Sequence, residues 1–121
     1  MPTGIKLRID PPGKFAGKSE EHYEEFSKQL RNYMSIQDMR FGEFMLWAQR
    51  ETMGITEEMI DAHDDIDDDN HTTRKLSTLL YYVLGSLTEG TAYVLVDQVE
   101  NNNGWEALRR LELRYSRTKM Q

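Results

Sequence analysis

The chain contains no cysteine. Disulfides, a thiol nucleophile, thiolate-bound zinc and iron–sulfur clusters are therefore excluded together. Proline occurs three times, and the Pro11-Pro12 pair stops any regular structure near the start. No run of about 18 apolar residues exists, so no bilayer-spanning helix is expected. No basic-then-apolar leader opens the chain, so nothing argues for secretion, and an intracellular home is compatible with the composition. Positive charge is in short supply, with 15 basic against 21 acidic residues and a net charge of −6. A dedicated nucleic-acid binder is normally basic. There is no Gly-x-Ser-x-Gly turn and no Gly-rich phosphate loop ending in Lys-Ser or Lys-Thr. The expectation is a protein that is not an enzyme and carries no cofactor.

What remains is 121 residues, 38% hydrophobic and 30% charged, which suits one domain with a modest core. The charges are unevenly spread. Positions 1–50 hold 8 basic and 7 acidic residues, 51–100 hold 2 and 12, and 101–121 hold 5 and 2. An acidic middle followed by a basic end could attract a second copy of the chain.

In the N-terminal stretch Ile5, Leu7 and Ile9 alternate with Lys6 and Arg8, a strand-like period of two. Residues 1–18 are read as an extended arm, and residues 19–121 as a helical domain. Ser19 is a natural N-cap for a first helix. Tyr23, Phe26, Leu30 and Tyr33 or Met34 give that helix one apolar stripe. Asp38 caps a second helix over 39–53, with Phe41, Phe44, Met45, Trp47 and Ala48 inward and Gly54 as a left-handed stop. Thr56 caps a short helix bearing Met59 and Ile60. Thr72 or Thr73 opens the strongest helical pattern, Leu76, Leu79, Leu80, Val83, Leu84 and Leu87, with Gly85 interrupting its end. Residues 90–100 favour a strand by propensity but place Ala92, Leu95, Val96 and Val99 on a helical stripe. Asn103 caps a last helix carrying Trp105, Leu108, Leu111 and Tyr115. The fold class expected is all-α, a compact bundle of five to six helices with an extended N-terminal arm. No stop signal follows Tyr115, so the chain reads as cut from something longer.

Residues 61–70 hold six aspartates. Asp65, Asp67 and Asp69 match positions 1, 3 and 5 of a calcium loop, but position 12 is Leu76, where a bidentate Glu is needed. The favoured reading is a solvated acidic loop over 64–71. His63 and His71 flank it and could join the aspartates around a divalent metal, with surface histidines in a polar segment the favoured reading. Arg110, Arg114 and Arg117 form one basic stripe on the last helix. Glu106 can pair with Arg110, and Arg109 with Glu112. No aromatic interleaves the stripe to stack bases, so a solvated or subunit-contacting face is preferred to direct RNA contact. The adjacent Tyr81 and Tyr82 cannot both face the core, so one is a candidate contact residue.

Phe15-Ala16-Gly17-Lys18, followed by Tyr23, Phe26 and Leu30 on a helix, resembles the opening of the Gag capsid proteins of LTR retrotransposons. The later run Leu84, Leu87, Thr88-Glu89-Gly90, Ala92, then Gly104-Trp105, Leu108 and Tyr115 resembles the second half of the same domain. The likeness spans residues 15–117. Phe26 stands where copia-type elements commonly place Trp, and both copia-type and gypsy-type lineages stay open. The resemblance implies the N-terminal capsid domain, a structural protein without a catalytic site. It implies self-association into the shell of a virus-like particle in the cytoplasm. RNA would be held through other segments of the parent protein, with no membrane and no small-molecule substrate as partner. A host-adopted helical adaptor derived from such a Gag is the alternative. Ile5, Leu7 and Ile9 of the arm and Arg110, Arg114 and Arg117 are the candidate self-association residues.

Overall fold

The computed structural model describes residues 10–64 and 70–116. Six helices follow in order: α1 Tyr23–Gln37, α2 Arg40–Arg50, α3 Glu57–Asp61, α4 Thr72–Leu87, α5 Gly90–Asp97 and α6 Gly104–Tyr115. Among the described residues there is no sheet, and an isolated parallel bridge joins Phe15 to Thr88. The expected all-α bundle is what forms. Residues 10–18 are not helical. Ile5, Leu7 and Ile9 lie outside the described residues.

Helix α6 is the hub, packed against α4, α2 and α5. Trp105, Ala107, Leu108 and Leu111 are fully enclosed. Spacings of three and four put these side chains on one broad face, and burying a Leu or larger side chain contributes about 1.5–3 kcal/mol. The Trp105 indole N–H does not stay orphaned, because it donates to the Thr73 carbonyl at 3.1 Å. Gly104 lets α6 start against α4. A Cβ there would collide with the Ser77 carbonyl oxygen and lie 2.7 Å from the Tyr81 nitrogen. Asn103 caps α6 as expected, its Oδ1 accepting from the Glu106 N–H at 3.0 Å. Thr56 likewise caps α3 by accepting from Met59. Asp38 accepts from the Arg40 N–H at 2.9 Å, at the first residue of α2, whose N-cap position is Met39 rather than Asp38. The stripe of α1 is inward as read, with Phe26, Leu30 and Met34 buried; α5 ends at Asp97, short of the expected 100, with Ala92 and Val96 buried, Leu95 half-buried and Val99 buried just beyond the helix.

Four local expectations are corrected. Ser19 is not the cap of α1, which begins at Tyr23 with His22 before it. The cause is Glu21, whose carboxylate turns back to accept from the Lys18 N–H at 2.8 Å and the Ala16 N–H at 3.2 Å. That holds residues 18–21 in a turn. Helix α2 ends at Arg50, and Gly54 is not left-handed. The chain turns extended at Glu51 and runs to Ile55, whose N–H donates to Glu106 Oε1 at 2.8 Å. Gly85 lies inside α4, which continues to Leu87. Leu79 is 48% exposed rather than core, because α4 turns the row of Leu76, Leu80 and Leu84 inward instead.

Candidate functional site

Several of the residues that carry the resemblance meet at one end of the bundle, around Phe15. The Phe15 ring lies 5.6 Å from Tyr23, 5.1 Å from Phe26 and 5.0 Å from Tyr115, centroid to centroid. Its backbone is clamped too. The Phe15 N–H donates to the Leu87 carbonyl at 2.8 Å, and the Glu89 N–H donates to the Phe15 carbonyl at 3.0 Å. Thr91 Oγ1 donates to the Ala16 carbonyl at 3.1 Å, and Thr91 and Tyr115 share a 3.3 Å hydroxyl contact. Gly17 adopts φ +81°, and a Cβ on it would lie 2.5 Å from the Tyr115 hydroxyl. Only glycine satisfies both conditions. Gly90 is also left-handed, at φ +58°, and Ala92 is buried beside it. Leu30, Leu84, Trp105 and Leu108 belong to the continuous core. These residues therefore anchor the arm and fill the interior.

A second centre is Glu106, which is only 6% exposed. Its carboxylate accepts from the Ile55 N–H, from Arg109 Nε at 2.7 Å and Nη2 at 2.9 Å, and from Arg110 Nε at 2.7 Å. Burial by itself raises the carboxyl pKa. The hydrogen bonds from Arg109, the Ile55 amide and Arg110 outweigh it and hold the pKa below the ordinary value of 4.5. The Glu106–Arg110 pair was legible from the i, i+4 spacing. Arg109 pairs with Glu106 rather than with Glu112. Glu112 instead accepts from Gln49 Nε2 at 3.1 Å.

The basic stripe is thus unevenly available. Arg110 is tied to Glu106, Arg114 lies 5.6 Å from the centre of the Tyr115 ring, and Arg117 lies outside the described residues. Tyr82 is the member of the tyrosine pair that faces solvent, at 59% exposure.

Asp65, Asp67 and Asp69 also lie outside the described residues. Next to them, Asp61, Asp64 and His71 each offer one ligand atom, all within 4.8 Å of one another. Asp61 already receives Arg74, Nη2 at 2.7 Å and Nε at 3.2 Å, which also lowers its carboxyl pKa. Asp64 is not a solvated loop charge. Its Oδ1 accepts from the Thr73 N–H at 2.9 Å and from the Thr73 hydroxyl at 2.7 Å, so it caps α4 from nine residues upstream. Asp61 and the Oδ1 atom of Asp64 are thus engaged inside the molecule, while Asp64 Oδ2 is buried without a hydrogen-bond partner.

A third site was not visible in the spacing of any one segment. A groove of about 420 Å³ between α1, α2 and the end of α6 is lined by Tyr23, Gln49 and Leu46, with the cations Lys28, Arg31 and Arg50 and the acids Glu24 and Glu112 around it. Gln49 is buried on its floor and donates to Ser27 Oγ at 2.6 Å. The Tyr23 hydroxyl is sealed in and has no aligned hydrogen-bond partner. Burial, and next the negative charge of Glu112, push its pKa far up, so it stays a neutral donor. Compared with protein-family models, with curated proteins and with solved structures, the chain finds no match.

Proposed function

We propose that this chain is a structural domain of the Gag capsid kind, working by association with copies of itself. In this reading it contributes to a shell around the RNA of a retrotransposon, in cytoplasmic virus-like particles. The RNA is held by other segments of a longer protein. The observation that carries the proposal is the joint placement of the residues bearing the resemblance. Phe15, Gly17, Tyr23, Phe26, Gly90, Ala92 and Tyr115 are dispersed along the chain yet build one interlocked end. A motif whose dispersed parts interlock supports the family reading more than any of its short matches does alone. Individual contacts in a shell are weak and many, so association should rise steeply with concentration and respond to salt. Light scattering across concentration and ionic strength tests this, together with electron microscopy for closed particles. A chain that stays monomeric at every concentration and salt level removes the reading.

The adaptor reading has one observation in its favour. An apolar groove of about 300 Å³ is lined by Pro11, Tyr33, Tyr82, Val83, Ser86 and Leu87. Such a groove suits an apolar peptide segment. A monomer that captures peptides would favour it over the shell protein.

A further inference from the structure

We propose that Asn103-Gly104 is a deamidation site gated by the fold. It is closed while the start of α6 is docked on α4, open once that turn comes away, and unable to close again after reaction.

The chain has five asparagines, and Asn103 is the one followed by glycine. In such a pair the reaction is chemically easiest, because the second residue has no side chain to shield its backbone nitrogen and bends freely. The Gly104 nitrogen attacks the side-chain carbonyl carbon of Asn103. A bond forms between that nitrogen and Cγ, the Cγ–Nδ2 bond breaks, and the Gly104 N–H proton leaves with Nδ2 as ammonia. Water then opens the five-membered imide at either carbonyl. The products are an aspartate, or an isoaspartate whose main chain runs through the former side chain and is one carbon longer.

Packing explains why so reactive a pair stands here. Position 104 requires glycine, since a Cβ would collide with the Ser77 carbonyl oxygen and lie 2.9 Å from Leu80 Cβ. Position 103 requires a side chain that accepts and donates at once. Its Oδ1 accepts from the Glu106 N–H at 3.0 Å, and its Nδ2 donates to the Ile55 carbonyl at 2.9 Å. A carboxylate can do the first but not the second.

The same packing holds the reaction off. The nucleophile is occupied, because the Gly104 N–H donates to Ser77 Oγ at 3.0 Å. The electrophile is held too, for Asn103 is 8% exposed and its amide is fixed through both Oδ1 and Nδ2. Ring closure has to swing that amide off Glu106 and Ile55 and pull Gly104 from Ser77. Those bonds fail together when the first turn of α6 leaves α4, a local opening. Asn101 and Asn102 are exposed, yet each precedes another asparagine, so they serve as the slow reference in the same turn.

Reaction makes the opening one-way. Aspartate at 103 has no N–H for Ile55 and sets a carboxylate against its carbonyl oxygen. The Ile55 N–H already holds buried Glu106, so two carboxylates then face the same residue. Isoaspartate lengthens the main chain where even a Cβ has no room.

The test incubates the full wild-type chain in mildly alkaline buffer, with and without denaturing urea, and maps the products by mass spectrometry. Asn103 should deamidate at least about tenfold more slowly in the folded chain than in urea. The slowing should match the hydrogen-exchange protection of the Gly104 amide. Equal rates in the two conditions overturn the gate. So does a folded-chain rate well above what Gly104 exchange permits, since the ring would then be closing with α6 still docked. Reaction at Asn101 or Asn102 ahead of Asn103 in urea overturns the site. The Asn103→Asp variant should melt at least about 4 °C below wild type, or fail to refold from urea. A variant that melts and refolds like wild type overturns the one-way step.

Discussion

Glu106 shows how one buried charge organises three segments. It ties the start of α6 to Arg109, Arg110 and the backbone of Ile55. Replacing it with Gln keeps the shape but removes the charge that two guanidiniums face. We expect Glu106→Gln to lose about 1–3 kcal/mol at neutral pH, measured by urea denaturation. The pH dependence has a definite sign. The folded pKa is depressed, so Glu106 contributes stability fully above about 4.5, and that contribution is lost as pH falls through the lower folded value. The variant should therefore show a flatter fall in melting temperature below pH 4.5 than wild type. Equal acid slopes would show that Glu106 is not the group being titrated. Phe15 is the other decisive single residue. Its ring fills the space between Tyr23, Phe26 and Tyr115, so Phe15→Ala should cost about 3–5 kcal/mol. Its hydrogen-exchange signature should be lost protection at the Phe15 and Glu89 amides, which now bond across the arm.

At the scale of elements, the two glycines near α4 behave oppositely. Gly104 starts α6 where a Cβ would strike the backbone of α4. Gly104→Ala should cost about 1–3 kcal/mol or more, because backbone cannot swing aside. Gly85 sits inside α4, and a methyl group there would meet nothing within 4 Å. Gly85→Ala should therefore stabilise by about 0.5–1 kcal/mol through lost backbone freedom in the unfolded chain. Thermal melts of the pair check both signs together. The helix ends were the least legible feature of these elements. Ser19 has the chemistry of a cap, yet α1 starts at Tyr23 because Glu21 folds back on Ala16 and Lys18. Asp64 caps α4 although it lies far before Thr72, a service no local spacing reveals. The inward rows were much easier to read, since i, i+3 and i+4 periodicity is a property of the helix itself.

For the whole molecule, charge placement is the feature with consequences. Among the described residues of the acidic middle, Asp61, Asp64 and His71 lie together. Asp61 is engaged by Arg74 and Asp64 by Thr73, so millimolar calcium is expected to leave the melting temperature unchanged. A rise with calcium would show a native-state ion site. The basic end is partly spent inside the molecule, on Glu106 and on the Tyr115 face. Reversing Arg110 would set a second carboxylate beside Glu106, so that experiment mixes folding with association.

The amino-acid sequence by itself determined the all-α class, a count of five to six helices, most of the inward rows and the caps of α3 and α6, because each depends on residues within a turn or two of one another. It also carried the Glu106–Arg110 pair, for the same reason. Only the tertiary structure decided which distant groups meet. Gln49 reaches Ser27 and Glu112, Asn103 Nδ2 donates to the Ile55 carbonyl, and Lys28, Arg31 and Arg50 line one groove with Tyr23 and Glu24. Those meetings depend on the angles at which α1, α2 and α6 cross. The angles follow from how whole side-chain rows interlock, and no short stretch of sequence holds that information.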